Sequence, residues 1–64
     1  MTNEQINASR YVALRNTDCS FEVSGTQIIV SCDSSSEAVS YTRDTPAATL
    51  KRNLQVAAAR VSSE

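Results

Sequence analysis

Cys19 and Cys32, the serines at 34 to 36 and the cations Arg43, Lys51, Arg52 and Arg60 are the residues of this 64-residue chain whose types could do chemistry. A thiol or a hydroxyl attacks a carbonyl only when a base takes its proton, and the usual base is histidine. The chain has none, so Ser–His and Cys–His pairs are excluded within one copy. A Ser–Lys pair would have to use Lys51, the single lysine. That residue falls on a helical surface where solvent keeps the ammonium charged. Two cysteines thirteen positions apart are too few for tetrahedral zinc, which takes four ligands in close pairs. Asp18, Glu22, Asp33 and Glu37 lack the dense oxygen spacing of a calcium loop. A lone glycine, Gly25, cannot build a phosphate-cradling loop. No catalytic, cofactor-binding or metal-binding residue is therefore assigned, and the chain is read as a non-enzyme.

Two groups remain that could bind rather than react. Arg43, Lys51 and Arg52, with Arg60 further along, form a modest basic set suited to phosphate. Ile29, Ser31, Ser40, Thr42 and Val56 form a candidate interaction surface of small, weakly charged side chains. The cysteines read most simply as small hydrophobes extending an inward strand face. A cross-strand position would also put them within range of a disulfide.

The elements that position these residues follow from hydrophobic period. Thr2 and Gln5 have the spacing of a capping box, which predicts a helix over about 3–16. Its apolar residues are smeared, with Ile6, Ala13 and Leu14 on one broad face around Arg10, and Ala8 and Val12 elsewhere. From Cys19 the period becomes two. Phe21 and Val23 alternate with Ser20 and Glu22, then Ile28, Val30 and Cys32 with Gln27, Ile29 and Ser31, on either side of Gly25. A four-residue connection sets Val23 against Ile28, Phe21 against Val30 and Cys19 against Cys32. A two-residue Ser24–Gly25 connection would pair Phe21 with Ile28 and keep the same side inward.

Taking Asp33 to Ser36 as a polar loop sets Cys32 against Glu37, Val30 against Val39 and Ile28 against Tyr41. One face then collects Phe21, Val23, Ile28, Val30, Val39 and Tyr41. The other collects Ser20, Glu22, Gln27, Ile29, Ser31, Ser40 and Thr42, the alternation of a sheet covered on one side. Thr45 as N-cap and Pro46 at the first position open a final helix. Ala47, Leu50, Leu54, Ala57, Ala58 and Val61 fall on one stripe of it, and Lys51, Arg52, Gln55 and Arg60 lie off that stripe. The expected fold is a small two-layer α+β domain over residues 1–64: helix, three-stranded antiparallel meander, helix, with the helices on one face.

Bulk composition narrows function further. Six Lys plus Arg against seven Asp plus Glu leave a net charge of −1, short of the basic excess expected of a dedicated nucleic-acid binder. A chain this short buries only about 60% of its unfolded surface, so its core is thin and association is favoured. No run of about 18 apolar residues is present, and the opening MTNEQINASR lacks a signal-peptide layout. The chain reads as a complete small cytoplasmic protein with reduced thiols. Its expected role is a protein-interaction or accessory module, docking on itself or on a larger protein. The alternative is a nucleic-acid accessory protein using the basic set. Neither a small-molecule substrate nor a membrane partner is indicated.

Overall fold

A computed structural model describes residues 1–62. The order is α1 (Asn3–Arg15), β1 (Ser20–Ser24), β2 (Gln27–Cys32), β3 (Ser35–Ser40) and α2 (Ala47–Ser62). The strands form one antiparallel sheet in the order β1-β2-β3. The α-β-β-β-α domain is the architecture expected from the sequence. α2 packs on β2 and β3, and α1 packs on α2.

The core is the α2 stripe pressed onto the inward sheet face. Leu50, Leu54, Ala57 and Ala58 have no exposure, nor do Ile28 and Val30 beneath them. Val12, Cys32, Val39, Tyr41 and Val61 complete the cluster, with Cys19 and Phe21 against its margin. Fully burying a Leu, Ile or Val contributes roughly 1.5–3 kcal/mol each, so these few residues carry most of the fold's stability.

Gly25 and Thr26 turn β1 into β2, and Phe21 pairs with Val30 and Val23 with Ile28. This is the first of the two registers above, reached through a tighter turn closed by Ser24 and Gln27. Gly25 takes φ 60°, a left-handed conformation that costs glycine nothing.

The β2–β3 register differs from expectation by two residues. Val30 faces Glu37, Ile28 faces Val39 and Cys32 faces Ser35. The loop is only Asp33 and Ser34, and Ser35 and Ser36 belong to the strand. Asp33 supplies the turn with φ 56°, a region aspartate tolerates better than most side chains. A shift of two preserves the pleat, so every inward residue stays inward. It also brings Glu37 beside Val30 on the helix-covered face.

Three further expectations are corrected. Val23 points to the inward side by register yet is 53% exposed, because α2 covers β2 and β3 and stops short of β1. On α1 the buried positions are Gln5, Ala8 and Val12, while Leu14 is 77% exposed. The helix turned toward α2 the stripe that carries a polar residue, because that glutamine has partners waiting. The capping box forms as expected: Gln5 N–H donates to Thr2 Oγ1 and Thr2 N–H to Gln5 Oε1, each at 3.1 Å. Gln5 Nε2 then donates to the carbonyls of Thr42 and Thr45, both at 2.9 Å. One buried amide thus caps α1 and anchors it to the loop before α2.

The third correction is in that loop. Thr45 Oγ1 accepts the Thr42 N–H at 2.9 Å, so its hydroxyl closes the loop instead of capping α2. Thr42 Oγ1 in turn accepts the Asp44 N–H at 3.2 Å. The first bond of α2 runs from Leu50 N–H to the Pro46 carbonyl at 3.0 Å.

Candidate functional site

The basic set is divided by the helix that carries most of it. Lys51 faces α1, where its Nζ lies 3.9 Å from the centroid of the Tyr11 ring. Arg15 approaches the same ring at 5.2 Å. A cation over an aromatic face is worth about 0.5–1 kcal/mol at an exposed site. Lys51 therefore serves the α1–α2 contact and is not the free, solvated cation expected. Arg52, one position on, turns to the opposite flank. Arg60 lies on that flank too, with Nη1 3.4 Å from Glu37 Oε2. Arg43 sits exposed in the loop between β3 and α2.

Arg52 and Arg60 border a groove of about 470 Å³ between β3 and α2. Its walls are Ala38, Val39 and Ser40 from the strand and Thr49, Asn53 and Val56 from the helix, with Glu37 near Arg60. Consecutive residues of the edge strand and helix residues spaced by three or four build it, where the helix lies along the strand. Its position is set by sequence: Val39 goes into the core, Ser40 points outward, and Val56 sits just off the buried stripe at 42% exposure. Arg52 makes no ion pair or side-chain hydrogen bond among the described residues.

The candidate interaction residues are likewise separated. Ser40 and Val56 meet at this groove. Ile29 and Ser31 lie on the sheet face away from the helices, half-buried, with Ile29 between Glu22 and Ala38. Thr42 belongs to the hydrogen-bonded loop, past the end of β3. Sequence reasoning missed the groove because the register error placed Glu37 too far toward the hairpin turn, and Asn53 and Thr49 gave no apolar signal. The three- and four-residue spacing of Thr49, Asn53, Val56 and Arg60 along one helical flank was the available clue.

Cys19 and Cys32 are free thiols at the β1–β2 end of the inward face. Cys32 Sγ donates to the Asp18 carbonyl at 3.5 Å. The neighbouring Cys19 thiol and then burial push the Cys32 pKa up from 9.0 to about 11. A thiol held protonated is a poor nucleophile at neutral pH, which suits the packing role.

No group of three or more metal-ligating side chains occurs among the described residues. Among those residues no helix is long and apolar enough to cross a membrane. No family model, curated protein or solved structure matches the chain.

Proposed function

We propose that the chain is a non-catalytic interaction module that docks on itself or on a larger protein. One observation carries this reading: β3 is one of the two outer strands of the sheet, and its open edge lies beside a groove with Val56 and Arg52 on its wall. An open strand edge is a template for a further strand. The opposite face adds a flat surface of short side chains around Ile29 and Ala38. The same reading takes the chain as cytoplasmic, a compartment that would keep the unbridged Cys19 and Cys32 reduced.

A phosphate-binding role for Arg43, Lys51, Arg52 and Arg60 has less support. Lys51 is engaged with Tyr11 and Arg60 with Glu37, and the two lie on opposite flanks of α2. The experiment is cross-linking of the native chain followed by mass spectrometry, run at low and high salt. Cross-links from β3, α2 or the Ile29 face to protein that persist at high salt support docking. Capture of nucleic acid that collapses steeply with salt, with no protein cross-link, sinks it.

A further inference from the structure

We propose that the occupant of the β3 edge is the β3 edge of a second copy, joining two three-stranded sheets into one continuous antiparallel sheet. This rests on the docking reading above and specifies its partner, surface and register.

Backbone alternation identifies which groups are available. Tyr41 N–H donates to the Thr26 carbonyl at 2.9 Å, extending the ladder in which Gln27 faces Ser40. In antiparallel pairs the residues that exchange hydrogen bonds alternate with those that do not. Val39, Glu37 and Ser35 therefore point their N–H and C=O groups at β2, as Tyr41 does. Those of Ser36, Ala38 and Ser40 point away, along the open edge. Two copies related by a two-fold axis at Ala38 set Ala38 against Ala38 and Ser36 against Ser40. Every outward amide and carbonyl of the three residues is then paired.

The neighbouring register, centred on Glu37, sets two carboxylates directly opposite each other, which is unfavourable. Centring on Ala38 instead sets Glu37 of the second copy opposite Val39, on the inward side and over the groove. α2 runs antiparallel to β3, with Arg60 at the Glu37 end and Thr49 at the Ser40 end. The incoming Glu37 falls between those ends, where Arg52 stands. The charge lacking a partner within one copy meets a carboxylate of the other, which then lies between Arg52 and the Arg60 of its own copy.

Helix spacing agrees. α2 packs on both β2 and β3, so its axis runs above the gap between them. With strands about 4.8 Å apart, the two α2 axes would stand two spacings apart, roughly 9.6 Å, within the roughly 8–10 Å of packed helices. Thr49, Asn53 and Val56 are small enough for that approach, Arg52 and Arg60 of the same flank reaching toward the Glu37 carboxylates, and Val56 would be covered. A bare peptide strand would pair the edge yet leave this helical flank open, which is why a second copy fits better.

Sedimentation equilibrium of the full chain should give twice the 6.9 kDa chain mass as concentration rises. Amide exchange at Ser36, Ala38 and Ser40 should slow in step with association. Ala38→Pro removes an N–H that faces away from β2, so the fold persists while the dimer weakens roughly thirtyfold or more. Val56→Arg, at an exposed helical position, should weaken it also, and it decides the matter if the proline variant does not fold. A chain that stays at 6.9 kDa throughout overturns the proposal, as does a dimer in which those three amides exchange as fast as in the monomer. In either event, salt-resistant cross-links to another protein would leave the general docking reading standing; their absence would remove both.

Discussion

On the α1 side of α2, Lys51 lies over the Tyr11 ring and Gln5 ties α1 to the loop before α2. On the β3 side, Arg52 and Val56 border a groove with no element across it among the described residues. Both flanks of the helix carry a cation. One flank is filled by the chain's own first helix and the other stays open. The difference teaches that a cation at a helix surface has no fixed meaning. Lys51 and Arg52 are adjacent in sequence, and a turn of about 100° sends one into intramolecular packing and the other to an open edge.

The largest perturbation would remove what both flanks depend on. Leu54→Ala, at a position with no exposure, should cost about 2–5 kcal/mol. That is comparable with the whole stability of a domain this small. Loss of the cooperative urea transition is the expected result, and a small shift in midpoint would contradict the core described here.

Next comes the closed flank alone. Gln5→Ala leaves the Thr42 and Thr45 carbonyls without their donor and should cost about 1–3 kcal/mol. Chemical denaturation measures it, and faster exchange of α1 amides than of β2 amides would show that α1 detaches first.

Lys51→Ala and Arg52→Ala sharpen the comparison directly. The first should cost the monomer about 0.5–1 kcal/mol through the lost ring contact. The second should change monomer stability by less than about 0.5 kcal/mol while weakening self-association. Equal effects of the two on stability would erase the distinction between the flanks. Glu37→Gln breaks the exposed pair with Arg60 and should shift folding by no more than about 1 kcal/mol, fading with added salt.

At neutral pH the smallest effect belongs to the cysteine pair. The Cys32 thiol is raised to about 11 from 9.0, so the folded chain holds its proton more tightly than the unfolded chain. Its contribution is complete below pH 9.0 and is lost as pH rises toward about 11. Comparing the pH dependence of the unfolding midpoint with that of Cys32→Ala isolates it. Iodoacetamide should modify the half-buried Cys19 before the buried Cys32 in the folded protein.

The fold was legible where one residue had a single sterically or energetically acceptable role. Gly25 marked a turn, the Leu50–Val61 stripe marked a roof, and Thr2 with Gln5 marked a helix start. The second turn was obscure because Asp33 to Ser36 are all polar, so a two-residue and a four-residue loop bury the same side chains. Likewise, α1 was misread because apolar count favoured Leu14, whereas the buried stripe includes a glutamine whose partners lie in the loop before α2. The candidate site was half legible: Ser40, Val56 and Arg52 were named, but nothing local said they meet.

By itself, then, the sequence determined the order of elements, the inward face of the sheet and the absence of a histidine-dependent chemistry, because periodicity and residue type are local properties. Only the tertiary structure decided which flank of α2 is covered by α1, where Glu37 stands relative to Arg60, and that a groove runs beside the β3 edge. Those outcomes depend on the long-range placement of α1 and on a two-residue register choice that alternation cannot see.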